Sequence, residues 1–278
     1  MKKYLKLLNK LSRNKKIFNI FKILFLLLGL LFLFIQISFT DFGPLKNLSF
    51  INFFALLLIV LTGTTFFALP WCEEYNTKDY RVNKIEYIKF YFQGQLGKYI
   101  PGSIWSVVGR ISLASNDKIS LEVSSKKTTK HLIQLWISCF IIGSIFYLQN
   151  IFYTIFALFV FIYFLKNNFY LIFYFLGWSL ICLAYIYVAK YIFFDNYSTS
   201  KIISSSLFSW LGGFLFLPSP SGIGVREYLF TYFYNVENLF NELFIIATII
   251  RFITIVNDVF GFVIYSFLHK LILYKTHD

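Results

Sequence analysis

Apolar segments long enough to cross a membrane recur along this chain and leave few folds open to it. The first contains the run ILFLLLGLLFLFIQI within residues 18–38, and the second covers residues 51–71. A transmembrane helix needs roughly 20 predominantly apolar residues. Further apolar runs follow at residues 131–148, 151–165, 169–194 and 243–268. The sequence therefore predicts an all-α fold, a polytopic membrane helix bundle with about six full spans.

The composition indicates a surface covered by lipid. Hydrophobic residues make up 58% of the 278 residues and charged residues only 14%, against about 25% charged residues in a typical soluble domain. The net charge of +13 comes from basic residues that cluster between apolar runs, eight of them in residues 1–22. Such clusters are typical of cytoplasmic flanks, so membrane orientation explains the charge better than nucleic-acid binding.

The distribution of Lys and Arg also predicts how the chain is oriented. Residues 1–17 form a basic segment, and the region 72–130 and the C-terminal tail are also rich in Lys and Arg. Because basic flanks stay in the cytoplasm, we expect these parts inside and the loop 41–49 outside. The sequence thus predicts one transmembrane domain over residues 1–278 in the inner or plasma membrane, with both termini cytoplasmic.

Two apolar segments differ from the others because Gly and Pro interrupt them. Residues 88–109 contain Pro101 and Gly102, and residues 202–236 contain PSPSGIGVRE. Pro and Gly disrupt helices, and a broken backbone at membrane depth is tolerated only beside protein or a water-filled cavity. We expect two re-entrant helical hairpins, with two kinked spans as the alternative. Hairpins entering from opposite sides would form an inverted repeat with a mid-membrane binding site.

The second broken segment holds the strongest binding-site candidates. Gly222 and Gly224 permit positive φ and a close backbone approach. Arg226 and Glu227 follow and open a helix. Helix N-termini attract anions, and a guanidinium suits phosphate oxygens. This pattern predicts a phosphate or lipid-headgroup site, with an Arg–Glu interfacial anchor as the alternative.

Four further ionisable residues lie in or beside the apolar segments. Arg251 and Asp258 share one helix face but lie about 10 Å apart along its axis, too far for a direct pair. Each is expected to find a partner on another helix, with Glu227 suited to Arg251, and packing ion pairs are the alternative to a ligand site. Lys98 and Arg110 flank the first broken segment. Their simpler interpretations are a snorkelling Lys98 and a cytoplasm-facing Arg110.

No catalytic residues, metal ligands or cofactor motifs stand out in the sequence. Cys139 and Cys182 fall inside apolar runs and are predicted to be small core residues. The three histidines sit near span ends or the terminus, without metal-ligand spacing. We therefore expect no cofactor and favour a non-enzymatic role. An intramembrane glycosyl or acyl transferase using Glu227 or Asp258, and a non-catalytic scaffold for an envelope polysaccharide pathway, are the alternatives.

The segments GKYIPGSIW (97–105) and PSPSGIGVREYLF (218–230), together with Arg110 and Arg251, resemble a known family. It is the lysylphosphatidylglycerol synthase transmembrane region, also called the flippase-like family, and the resemblance extends over residues 15–270. The late segment is the more specific, although Ser219-Pro220-Ser221 replaces a more Gly-rich turn. The resemblance marks as site residues Pro101, Gly102, Arg110, Gly222, Gly224, Arg226, Glu227 and Arg251.

The resemblance implies a bacterial or archaeal inner-membrane protein that moves lipids, or helps to move them, between leaflets. Its soluble aminoacyl-transferase domain is not expected here, so that activity is not carried over. The implied ligand is an anionic lipid or a polyprenyl-phosphate-linked glycan, and the implied partners are envelope glycosyltransferases. From their position in the apolar segments, Lys98 and Asp258 join the residues expected to bind lipid phosphate.

Overall fold

A computed structural model of the chain describes residues 48–76, 82–100, 104–115, 119–157, 159, 169–192, 197–216 and 219–275. Within these ranges the chain is helical and has no β-strand. Its main helices are α1 (Phe50–Tyr75), α2 (Lys84–Leu96), α3 (Trp105–Ala114), α4 (Leu121–Leu148), α5 (Leu171–Tyr187), α6 (Thr199–Leu215), α7 (Val225–Tyr234) and α8 (Phe240–Lys275). The predicted span 18–38, much of 151–165, and Pro101 and Gly102 lie outside the described residues.

Four of these helices are long and apolar enough to cross a membrane, namely α1, α4, α8 and α5 with its π-helical extension. They confirm the apolar runs predicted at 51–71, 131–148, 169–194 and 243–268. The start of α4 differs from the prediction, because it lies ten residues earlier, at Leu121. The hydroxyl of Ser120 caps the helix by accepting a hydrogen bond from the Val123 N–H. The ten residues before position 131 are therefore part of this helix.

Polar side chains are buried inside the bundle beside apolar ones, and many large apolar side chains lie on its outside. Thr64, Ser205 and Asn257 are buried, whereas Phe140 and Phe252 are more than half exposed. Most buried hydroxyls bond helix carbonyls one turn earlier, as Thr64 does to Val60. An apolar exterior of this kind is compatible with the lipid-covered surface that the composition predicts.

Each of the two broken segments forms a hairpin of two antiparallel helices. The first hairpin (residues 84–114) joins α2 to α3, and the second hairpin (residues 199–234) joins α6 to α7. Glycines allow the close approach: a Cβ on Gly97 would lie 2.7 Å from the Trp105 carbonyl oxygen. Because the chain reverses in both segments, neither is a kinked continuous helix.

The two hairpins occupy opposite ends of the bundle and meet at their tips. One hydrophobic cluster packs the first hairpin against the C-terminal half of α1 and the first part of α5, and it also takes in parts of α4 and α6. The other packs the second hairpin against the N-terminal half of α1, the end of α5 and the beginning of α8. The tip residues Gly97–Tyr99 and Pro220–Gly222 contact each other between these clusters.

Helix packing follows one pattern twice. Helices α1 and α5 pack against each other, and each also packs against the first helix of the hairpin that follows it, α2 or α6. The long helix after each hairpin, α4 or α8, packs against the returning helix of that hairpin. It also packs against the first helix of the other hairpin, so that α4 contacts α6 and α8 contacts α2.

Candidate functional site

A polar cavity lies where the two hairpin tips meet. The space open to the centres of water-sized molecules is about 100 Å³, and roughly 10–15 Å³ suffices for one water. Among the described residues, its charged lining consists of four cations and two carboxylates: Lys98, Arg110, Arg226, Arg251, Glu227 and Asp258. We call this space the central cavity. It brings together all six charged residues that the sequence singled out.

Arg251 fastens the tip of the second hairpin to α8. Its Nη1 donates to Glu227 Oε1 at 2.9 Å and to the Gly222 carbonyl at 3.2 Å. Its Nη2 donates to the Ser221 carbonyl at 3.0 Å. Glu227 is only 2% exposed. The predicted pairing of Arg251 with Glu227 is confirmed, and most of the guanidinium's donors are engaged by the protein itself.

Asp258 fastens the tip of the first hairpin to the same helix. Its carboxylate lies 2.6 Å from Lys98 Nζ and accepts a hydrogen bond from the Tyr99 hydroxyl. Asp258 is 2% exposed. The expectation that Arg251 and Asp258 pair with other elements is therefore confirmed for both. The snorkelling interpretation of Lys98 is wrong, because its ammonium group is bound to a buried carboxylate beside the cavity.

Arg226 lies on the first turn of α7, against α6 of the same hairpin. A Cβ on Gly213 would lie 2.2 Å from Arg226 Cγ, so this glycine leaves room for the arginine. The guanidinium lies 5.7 Å from the ring centroid of Trp210. Within the described residues Arg226 forms no ion pair, and its buried Nε has no hydrogen-bond partner.

Arg110 is buried on α3 and lines the same cavity, with 2% of its surface exposed. The interpretation of Arg110 as a cytoplasm-facing charge is wrong. Gly94 of α2 leaves space for its side chain, since a Cβ there would lie 2.4 Å from Arg110 Cγ. Its Nε donates to the Ser106 carbonyl, and its guanidinium lies 5.0 Å from the Tyr91 ring.

Five buried atoms on residues lining the central cavity have no hydrogen-bond partner among the described residues. They are the donors Arg110 Nη1, Arg226 Nε and Arg251 Nε, and the acceptors Glu227 Oε2 and Asn257 Oδ1. Leaving such groups unpaired is costly. Donors outnumber acceptors, so the wall favours a ligand that supplies mainly acceptor oxygens.

The turn of the second hairpin has the backbone that its glycines predicted. Gly222 and Gly224 have φ of 70° and 79°, and Ser221 between α6 and α7 has φ of 54°. These left-handed residues confirm the predicted positive φ and place the start of α7 at Val225. The first turn of α7 therefore carries Arg226 and Glu227 at the cavity wall.

Three other residues that the sequence singled out lie in the core of the protein. His131 lies inside α4 rather than near a helix end, fully buried, with Nδ1 2.7 Å from the Tyr174 hydroxyl. Cys139 and Cys182 are buried and free, which confirms them as core residues.

Sequence reasoning missed the residues that hold the two unpaired arginines. Gly94 and Gly213 each lie in the first helix of a hairpin, opposite an arginine on the second helix of the same hairpin. Tyr91 and Trp210 supply the aromatic rings. The available signal was the presence of a glycine inside a helix, where glycine is unfavourable unless packing requires it. The residue packed against each glycine could not be identified without the register of the hairpin.

No protein-family model matches the chain, and neither a curated protein nor a solved structure matches it. The resemblance to the flippase-like family therefore stays a prediction.

Proposed function

We propose that this membrane protein handles an anionic lipid and moves it between leaflets, in the manner of a flippase. The observation that carries the proposal is the charge of the central cavity, where four cations face two carboxylates among the described lining residues. Ionisable groups at membrane depth are costly and usually functional. A lipid phosphate in the cavity would offset the excess positive charge while its tails stay in the surrounding lipid.

The repeated packing pattern supports this proposal. Helices α1 to α4 and α5 to α8 have matching neighbours, and their hairpins approach the centre from opposite ends. We interpret the two halves as an inverted repeat with two re-entrant hairpins. Transporters built in this way bind substrate at the repeat interface and expose it to each side in turn. The central cavity lies at that interface.

Arg226 is the residue best placed to hold a phosphate group. Arg251 donates to Glu227 and to two carbonyls, and Lys98 is paired with Asp258. Arg226 has no such partner among the described residues. We therefore assign phosphate binding first to Arg226, and the positioning of the hairpin tips to Arg251 and Asp258.

Leaflet-resolved movement of a labelled phosphatidylglycerol in proteoliposomes tests this function. We expect Arg226→Ala to slow movement about tenfold to a hundredfold, the value of one charge-assisted hydrogen bond. Lys201→Ala is the matched control, because Lys201 is an exposed cation at the base of the same hairpin. Equal movement by the parent protein and Arg226→Ala would remove Arg226 from the mechanism.

One observation favours an intramembrane glycosyl or acyl transferase as the second candidate. Glu227 lines the cavity, and its Oε2 has no hydrogen-bond partner among the described residues, so it is available to accept a proton. Against this, Oε1 is bound to Arg251, so the carboxylate already serves to hold the tip of the second hairpin. Turnover of a labelled lipid donor that Glu227→Gln abolishes would favour the transferase.

The resemblance extends the proposal to the cell membrane and to envelope glycosyltransferases as partners. Co-purification of such an enzyme with the intact protein from membranes would support that extension.

A further inference from the structure

The two hairpins hold one arginine each, and they hold it in the same way. Arg110 lies on the returning helix of the first hairpin against Gly94, and Arg226 lies on the returning helix of the second against Gly213. Each guanidinium faces an aromatic ring on the first helix of its own hairpin, 5.0 Å away for Arg110 and 5.7 Å for Arg226. The repeated packing of the two halves thus extends to two matched arginine sites on one cavity.

These arginines are also the two cavity cations that no carboxylate compensates within the described residues. Lys98 is paired with Asp258 and Arg251 with Glu227. Two positive charges remain, and each arginine has a buried nitrogen without a hydrogen-bond partner. Since an uncompensated buried charge is strongly unfavourable, the cavity matches a ligand that carries two negative charges.

We propose that the central cavity binds a diphosphate diester, whose two negative charges compensate Arg110 and Arg226. This inference rests on the proposed function, because it names the class of anionic lipid that the protein takes. A diphosphate diester carries one negative charge on each phosphate, and a guanidinium can donate two hydrogen bonds to one phosphate. A phosphodiester lipid carries a single charge and would leave one arginine uncompensated.

The cavity wall also suits a sugar attached to the diphosphate. Glu227 Oε2 and Asn257 Oδ1 are buried acceptors without donors among the described residues. Hydroxyl groups of a sugar would supply those donors, which an unsubstituted phosphate tail lacks. The ligand class is therefore a lipid diphosphate carrying a sugar.

Two lipids that differ only in the number of phosphate groups test the proposal. Farnesyl-diphosphoryl-glucose and farnesyl-phosphoryl-glucose share tail and sugar, and their affinities for the purified full chain can be measured by calorimetry in detergent. We expect the diphosphate to bind about tenfold to a hundredfold more tightly, the value of one further charge-assisted contact. This comparison needs no substitution, so a variant that fails to fold cannot obscure it.

Variants then test whether both arginines contribute to the preference for the diphosphate. Arg110→Gln and Arg226→Gln should each reduce the difference between the affinities for the two lipids to about threefold or less. A threefold difference is a small part of the free energy of one charge-assisted contact. Lys201→Gln, outside the cavity, should keep the full preference. Inorganic diphosphate should bind more weakly than the lipid, because it lacks the tail. Equally tight binding of inorganic diphosphate would point to a free anion and overturn the lipid assignment.

The outcomes separate this proposal from the proposed function. Equal affinity for the two lipids, or a preference that survives both arginine variants, would overturn the diphosphate assignment. If phosphatidylglycerol movement still depends on Arg226 in that case, the lipid-moving function stands. If neither lipid binds and no movement occurs, the proposed function fails as well.

Discussion

The ion pair between Lys98 and Asp258 offers a quantitative test of how α8 holds the first hairpin. Asp258→Asn keeps the size of the side chain and an oxygen for the Tyr99 hydroxyl, but it removes the charge 2.6 Å from Lys98 Nζ. Removing one partner of a buried pair costs about 3–5 kcal/mol. We expect the lower end, because 19% of the Lys98 side chain is exposed.

The expected loss can be measured as a change in melting temperature. A loss of about 3 kcal/mol corresponds to a fall in melting temperature of roughly 6–12 °C for a chain of this size. Fluorescence during heating in detergent measures this temperature. Adding Lys98→Met to Asp258→Asn removes the uncompensated ammonium group. That double variant should recover most of the loss, since replacing a whole buried pair by uncharged groups is often neutral.

The ion pair between Glu74 and Lys130 is the matched control. Its atoms lie 2.7 Å apart, but more than half of the Lys130 side chain is exposed. Glu74→Gln should therefore cost no more than about 1 kcal/mol. Destabilisation by Asp258→Asn that is no greater than that by Glu74→Gln would show that the buried ion pair does not hold the first hairpin. Simple addition of the effects of Lys98→Met and Asp258→Asn would show the same.

Three further predictions concern packing. Gly97→Ala should destabilise the first hairpin by about 1–3 kcal/mol, because its methyl group would lie 2.7 Å from the α3 backbone. Gly109→Ala, with 3.6 Å to the nearest atom, should be neutral or slightly stabilising in the same thermal assay. Trp71→Phe should lower the free energy of unfolding by about 1 kcal/mol, because the buried indole N–H of Trp71 donates to the Thr128 hydroxyl on α4 at 3.2 Å. An unchanged melting temperature would contradict this prediction. All three cysteines are buried, so a polar maleimide should label them only on unfolding, and rapid labelling of the folded protein would contradict their burial.

Helix α8 connects the two hairpins mechanically. Arg251 binds the tip of the second hairpin and Asp258 the tip of the first. These contacts lie two helical turns apart on one helix face. Movement of either hairpin relative to α8 would therefore have to break or shift one of these ion pairs. A lipid phosphate that competes for Lys98 or Arg251 would lower the free-energy cost of that movement.

The sequence alone determined the class of fold and located the two broken segments, for which it predicted hairpins with kinked spans as the alternative. Apolar runs predict membrane helices because lipid solvation depends on composition over about 20 residues, whatever the neighbours are. The breaks in the helices were also predictable from the sequence, because the effect of Pro and Gly on a helix is local. Even the need of Arg251 and Asp258 for partners on other elements followed from helix geometry alone.

The sequence predicted the pairing of Arg251 with Glu227, but only the tertiary structure decided how the other charges are paired and which are left over. Lys98 and Asp258 are far apart in the chain, and nothing local to either residue identifies the other. The burial of Arg110 depends on Gly94 standing opposite it in an antiparallel hairpin, a register that composition does not encode. Electrostatic pairing acts over a few ångströms in space, so the excess positive charge of the cavity exists only once the hairpins have met.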